Sequence, residues 1–401
     1  MNGLSISRIE ILLCLSAIVA LIARRAKLPY TVGLVLAGAG IASFGYLQDV
    51  HHIRGLIYNI LLPPLIFEGA LYTDWKELKR NLAPILVLAS LGVVISAGII
   101  GCSVSLILGW PIGSALVFGT LIAATDPVSV IAMFKDLKIE GRIRLIVESE
   151  SLINDGFAAV AFAVALACAT GSHFSSMKAI LLLLQEIGGG LVCGSAVALI
   201  ALYFVGKTED HLVELTISTV TAFGAFLMAM MIHSSGVVAV IIAGLIIGNL
   251  GRQQRFSGRG TDALEAFWEF AAFVSNSIIF LLIGVQEFKI HRTLIEELQI
   301  VVIGIIVVLF ARAVSVYGLS TIFRGKKNEV TLSEQHILVW GGLRGALSLA
   351  LVLSVPDTLP WKTQLTAAAF GVVAFSVIVQ SLTVPTLLKR LKVPITPINT
   401  T

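Results

Sequence analysis

The stretch Glu150-Ser151-Leu152-Ile153-Asn154-Asp155 places four polar groups, two of them carboxylates, inside one apolar run. An ionisable side chain at bilayer depth costs about 2.5 to 3.5 kcal/mol on insertion scales, so this density marks a functional site. At helical spacing Ser151 and Asp155 stand four residues apart on one face, and Glu150 and Asn154 make a second such pair on the neighbouring strip. One face offers a hydroxyl and a carboxylate as oxygen ligands; the other offers groups that can be tied down. A further carboxylate, Asp126, sits in Thr125-Asp126-Pro127. Pro127 has no N–H, so the carbonyl of Ala123 loses its helical partner and Asp126 is driven toward extended backbone. The freed carbonyls join the two carboxylates as hard ligands suited to a small hard cation. Two carboxylates held close in a low-dielectric cavity resist simultaneous ionisation. A proton or a cation relieves the repulsion, and both need the same oxygens. Such competition couples two fluxes if the site opens to one side at a time.

The remaining intramembrane charges divide by depth. Arg344, flanked by Gly341-Gly342 and Gly345, is the expected partner that neutralises Glu150, because an unpaired buried charge is costly. Glu68 follows the kink expected at Pro63-Pro64 and reads either as lining the ion's path or as hydrogen-bonded to a neighbouring helix. Arg312 reads as a partner for a carboxylate or as a snorkelling cation. Glu269 and His233 are treated alike, His233 as a hydrogen-bonded packing residue. Glu10, Glu148, Glu186 and Glu214 lie near estimated helix ends, where they are expected to reach water or headgroups.

The elements that must position these groups follow from composition. The 401 residues are 57% hydrophobic and 13% charged, with mean hydropathy +0.96, well above the roughly 45 to 50% apolar usage of soluble domains. Thirteen apolar runs suit a hydrocarbon core about 30 Å thick. They cover about 5–23, 29–45, 55–72, 83–108, 111–134, 143–170, 178–205, 212–233, 235–250, 264–286, 297–323, 335–354 and 364–388. The second and ninth are short enough to be re-entrant. Arg24, Arg25 and Lys27 follow the first apolar run instead of preceding it, so that run reads as a retained helix and not a signal peptide. Alternate connections hold 20 Lys and Arg on one side and 6 on the other. This places the N-terminus outside and the C-terminus in the cytoplasm of a plasma (inner) membrane. The net charge of +4 is explained by those loops and implies no nucleic-acid partner. Cys14, Cys102, Cys168 and Cys193 lack metal-ligand spacing and read as small apolar residues. Loops are short, so neither a soluble regulatory domain nor an obligatory soluble partner is expected.

The fold class is therefore an all-α polytopic membrane protein with about thirteen transmembrane helices. Its fifth and twelfth helices are broken, at Thr125-Asp126-Pro127 and at Gly341 to Gly345. Runs 4 to 6 and 11 to 13 are the two candidate inverted repeats, whose broken helices meet at mid-membrane.

Leu62-Pro63-Pro64-Leu65-Ile66-Phe67-Glu68, Thr125-Asp126-Pro127, Glu150-Ser151-Leu152-Ile153-Asn154-Asp155-Gly156 and Gly341-Gly342-Leu343-Arg344-Gly345 together resemble the NhaP-type sodium/proton antiporters of the monovalent cation/proton antiporter-1 family. The resemblance covers essentially the whole transmembrane domain. It implies a homodimer with the NhaA/NhaP-like fold, in which core helices (about 83–170 and 297–390) move like an elevator against dimerisation helices (about 5–72 and 178–286). It implies a cation, Na+ or Li+, bound by Asp155, Asp126, Ser151 and the backbone of Thr125, with Glu68 nearby through water and Glu150 paired with Arg344. Asn154 stands where electrogenic relatives carry a second aspartate, which implies electroneutral exchange serving pH and sodium homeostasis. No cofactor beyond the transported ions is implied.

Two other classes are weaker. A channel or uniporter could use the same polar cavity but would carry current. An intramembrane enzyme lacks its signatures, since neither His-Glu-x-x-His, Gly-x-Ser-x-Gly nor Gly-x-Gly-Asp occurs. Residue types do not separate sodium, lithium and potassium, because all three take oxygen ligands.

Overall fold

The structure, a computed structural model, describes residues 6–26, 30–44, 53–126, 134, 139, 141–171, 176–251 and 255–391. The regular elements among the described residues are all helices, as expected where no water is present to satisfy backbone groups. We number them α1 (Ile6–Ala26), α2 (Tyr30–Ser43), α3 (Ile53–Leu56 continuing through a π-helical turn at Ile57–Leu61 into Leu62–Leu71), α4 (Trp75–Leu108), α5 (Ile112–Ala123), α6 (Arg142–Ala169), α7 (Ser176–Val205), α8 (His211–Met231), α9 (Gly236–Ile246, then a π-helical turn Ile247–Gly251), α10 (Gly258–Glu296), α11 (Leu298–Ser320), α12a (Leu332–Trp340), α12b (Ala346–Val352) and α13 (Lys362–Phe375, a π-helical turn Ser376–Gln380 and Ser381–Arg390). Each apolar run expected from the sequence is met by one of these helices.

Seven of them are long and apolar enough to cross a membrane: α4, α6, α7, α8, α10, α11 with its short continuation to Phe323, and α13. Shorter apolar helices lie at Glu10–Ile22, Tyr30–Ser43, Ile57–Leu71, Ile112–Ala123 and Gly236–Gly251. Two long helices outrun their apolar runs. The 34-residue α4 begins at Trp75, and the 39-residue α10 spans Gly258–Glu296, because helical hydrogen bonding continues into polar flanks that hydropathy excludes.

The chain divides into two compact units, Met1–Arg54 with Asn81–His173 and Ser277–Thr401, and Gly55–Arg80 with Phe174–Asn276. The second unit is held by small residues that let helices approach closely. A Cβ on Gly194 of α7 would lie 2.3 Å from the Ala239 carbonyl of α9, and one on Gly248 would lie 2.1 Å from the Leu71 carbonyl of α3. Pro63 and Pro64 withdraw two helical donors, and the π-helical turn at Ile57–Leu61 lies just before them. The expectation that Glu214 reaches water is corrected: its residue is fully buried. Its carboxylate accepts from the Ser257 N–H (3.0 Å) and hydroxyl (2.9 Å) just ahead of α10, where a helix N-terminus favours an anion.

In the first unit α5 packs on α6, and α11 packs on α13. Thr331 and Glu334 form a reciprocal cap that starts α12a. Arg142, at the start of α6, donates to both Glu334 oxygens (2.7 and 2.8 Å) and to Asn81 Oδ1 of α4 (2.8 Å). The beginnings of α4, α6 and α12a are thereby tied together, and α6 carries the Glu150–Asp155 stretch.

Candidate functional site

Among the described residues the fifth helix ends where its break is expected and the twelfth is interrupted, and the two places meet. Helix α5 stops at Ala123 and Ala124 is extended; Pro127 lies outside the described residues. Helix α12 is interrupted from Gly341 to Gly345. The Asp126 N–H donates to the Leu343 carbonyl (2.7 Å). Arg344 Nη1 donates to the carbonyls of Ala123 (2.7 Å) and Ala124 (2.8 Å). A cation at the C-terminal end of a half-helix is favoured by the aligned peptide dipoles, and a guanidinium can serve both carbonyls at once. One expectation is corrected here. The Ala123 carbonyl released by the break is not left for an ion, because Arg344 takes it; an unpaired carbonyl in apolar surroundings would be costly.

A second correction concerns Glu150. Its carboxylate is held by Arg312 of α11, Nη1 to Oε1 and Nη2 to Oε2, both at 2.9 Å, and not by Arg344. Glu150 is 1% exposed and Arg312 4%, so this is a buried two-pronged ion pair. Arg312 Nε also reaches the Leu338 carbonyl on α12a (3.2 Å). Arg344 remains close enough to act on Glu150 electrostatically. Of the two readings for Arg312, carboxylate partner and snorkelling cation, the structure selects the first.

Thr125 is the hub that joins α5 to α6. Its hydroxyl lies 2.8 Å from Ser151 Oγ and receives Asn154 Nδ2 at 2.6 Å. Asn154 Nδ2 also donates to Glu150 Oε1 (3.1 Å), and Asn154 Oδ1 accepts from the Thr125 N–H (3.3 Å). The i, i+4 pair Glu150 and Asn154 is thus fastened as its spacing suggests, while the role of the Thr125 side chain was not apparent in the sequence.

Asp155 is 4% exposed and lies within electrostatic reach of the Asp126 and Glu150 carboxylates. Its Oδ1 is buried with no hydrogen-bond partner among the described residues. Asp126 is 8% exposed. A Cβ on Gly345 would sit 2.4 Å from Asp126 Oδ2, and one on Gly342 would lie 2.9 Å from Arg312 Nε and 3.2 Å from Thr125 Cγ2. The glycines of the twelfth helix therefore leave room for the groups of the fifth and eleventh. Asp126, Asp155, Ser151, Thr125, Asn154, Glu150 and Arg344 are all brought into one neighbourhood of the first unit. Glu68 is buried on α3 of the second unit.

A polytopic helical bundle in which the end of one helix meets the interruption of another beside buried carboxylates is the architecture of a secondary ion transporter. The sodium/hydrogen exchanger transmembrane family model matches residues 11–390, and the chain belongs to that family. It is 40% identical over 367 residues to the Na(+)/H(+) antiporter ApNhaP of Aphanothece halophytica, covering 91% of this chain and 70% of the relative. It is 30% identical over 392 residues to the Na(+)/H(+) antiporter NhaP of Pseudomonas aeruginosa, covering 91% and 92%. Its fold is similar to that of the sodium proton antiporter MjNhaP1 from Methanocaldococcus jannaschii, with a TM-score of 0.78 at 22% identity over 96% of this chain and 98% of that one. The resemblance to NhaP-type antiporters carried by the four motifs is borne out.

Proposed function

We propose that this chain exchanges sodium, or lithium, for protons across the cytoplasmic membrane, with Asp155 and Asp126 binding either the cation or the proton. Ser151 and Thr125 complete the ligand set, Glu68 lies on the ion's path, and Asn154, Glu150, Arg312 and Arg344 form the scaffold. The observation that carries the reading is the buried Asp155 Oδ1, an acceptor with no donor among the described residues and within electrostatic reach of a second carboxylate, Asp126. Such an oxygen gains most from a cation or a proton.

The buried charges also support a stoichiometry. Among the described residues of the crossing, three buried carboxylates, Asp126, Glu150 and Asp155, stand with two guanidiniums, Arg312 and Arg344. The excess among these five groups is one negative charge, which a single monovalent cation or a single proton cancels. One-for-one electroneutral exchange follows if the site moves only when neutral, since translocating the uncompensated charge through lipid is opposed by several kcal/mol. Alternating access is of the elevator type, the protein acts as a homodimer with its C-terminus in the cytoplasm, and its role is pH and sodium homeostasis.

The test is transport in proteoliposomes with an imposed pH gradient. Adding sodium or lithium should dissipate the gradient without generating current, and Asp155→Asn should abolish this. Unchanged exchange in the mutant would remove Asp155 from the site. Half-saturating sodium should rise as pH falls, because proton and cation share the same oxygens; affinity insensitive to pH would require separate sites.

A further inference from the structure

The break in α12 exposes backbone groups on both of its sides, and the last helix supplies partners for them. Helix α13 departs from α-helical winding at Ser376–Gln380. Ser376 is 0% exposed and Gln380 3%. Neither residue can be spared to lipid or water, so their polar atoms are committed inside the protein.

Their hydrogen bonds form one chain. The Arg344 N–H donates to Ser376 Oγ (2.8 Å). Ser376 Oγ donates to Gln380 Oε1 (2.6 Å), and Gln380 Nε2 donates to the Trp340 carbonyl (3.0 Å). Trp340 ends α12a, and Arg344 precedes α12b. One orphan carbonyl and one orphan N–H, on opposite sides of the break, are thus bridged by two side chains of a single helical turn. Widened turns of this kind are frequent at functional sites.

The bridged segment also locates the carboxylate of the proposed site. Leu343 receives the Asp126 N–H, Arg344 holds the carbonyls of Ala123 and Ala124, and Gly345 lies against the Asp126 side chain. A displacement of residues 341–345 therefore displaces Asp126. Gly342, Arg344, Phe375 and Gln380 also line a cavity of about 10 Å³ beside the segment. The hydrogen bonds of Ser376 and Gln380 therefore act on a segment that is buried throughout.

We infer that Ser376 and Gln380 are positioning residues that clamp the two halves of α12 and set the place of Asp126, and through it the apparent affinity for the cation. The inference rests on Asp126 being part of the ion site proposed above. It goes beyond that reading by assigning a function to the π-helical turn of α13, which contributes no ligand.

The experiment uses the full-length protein in proteoliposomes and detergent, with Gln380→Met and Ser376→Ala. Both remove hydrogen bonds with little or no gain in volume. Half-saturating sodium should rise about three- to tenfold, the effect of losing one or two buried hydrogen bonds. The rate at saturating sodium should stay within about twofold of the parent, the pattern of lost binding and not lost turnover. The pH at which exchange is half-maximal should move with the sodium affinity. Hydrogen exchange read at the Asp126 amide, which needs no transport, should quicken in both variants while amides of α7 and α8 are unchanged. Parental sodium affinity with unaltered exchange at Asp126 overturns the clamp. A fall in maximal rate that tracks lower thermal stability at constant affinity also overturns it, since that is merely structural. If Gln380→Met does not assemble, Ser376→Ala, the smaller change, decides alone. Failure of the ion-site reading is recognised separately: Asp155→Asn would then retain exchange, whereas the Asp126 amide would still respond to the clamp variants.

Discussion

The two arginines beside Glu150 make different predictions when removed. Arg312 meets Glu150 with two bonds of 2.9 Å, and both residues are nearly inaccessible to water. Deleting one member of such a pair leaves an uncompensated buried charge and typically costs about 3 to 5 kcal/mol. Here the remaining anion keeps Asn154 Nδ2 at 3.1 Å and the charge of Arg344 nearby, so Arg312→Gln should lie at the lower end, about 3 kcal/mol. Glu150→Gln in that background removes the orphaned charge, and the double mutant should recover about 2 kcal/mol of the additive loss. Arg344 donates to carbonyls and not to the carboxylate, so Arg344→Gln and Glu150→Gln should couple by less than about 1 kcal/mol. The assay is a double-mutant cycle on reversible unfolding in mixed micelles. Strong coupling of Glu150 to Arg344 together with additivity between Glu150 and Arg312 would refute the assignment of the pair.

Two further outcomes follow from the crossing. Gly345→Ala places a Cβ 2.4 Å from Asp126 Oδ2, and the resulting shift should weaken apparent sodium affinity about tenfold. Gly318→Ala, where nothing lies within 4 Å, should not; equal behaviour of the two in a sodium titration would contradict the close approach. Asn154→Asp puts a carboxylate where the Asn154 amide donates to Glu150 and Thr125. It should lower the stability of the purified protein by about 1 to 3 kcal/mol, read as a shifted unfolding midpoint; a midpoint at the parental value would show that this amide is not fastening α5 to α6.

What was legible along the chain is what lipid enforces locally. A stretch of apolar residues in a bilayer has few options other than a helix, so each of the thirteen runs in the sequence is met by helix among the described residues. The breaks were equally visible: Gly341, Gly342 and Gly345 weaken a helix whatever surrounds them, and the polar Glu150 to Asp155 stretch announces itself by its cost. Even the Glu150–Asn154 contact was readable, because residues four apart on one helix must be neighbours.

Partnership between helices was not readable. Arg312 and Arg344 are both deep, and either could neutralise Glu150; only the meeting of α6, α11 and the crossing shows that Arg312 takes the carboxylate and Arg344 takes the carbonyls of α5. For the same reason nothing local to Ala123 indicates that its carbonyl accepts from a guanidinium 221 residues away. Nothing local to Glu214 indicates that Ser257 satisfies both of its oxygens. Ser376 and Gln380 carry no signal in the sequence, since a hydrogen-bond clamp has no periodicity of its own. Secondary structure and the site's inventory depend on interactions within a few residues. The pairing of buried charges depends on which side chains the packed helices bring within 3 Å, and that is a property of the tertiary structure.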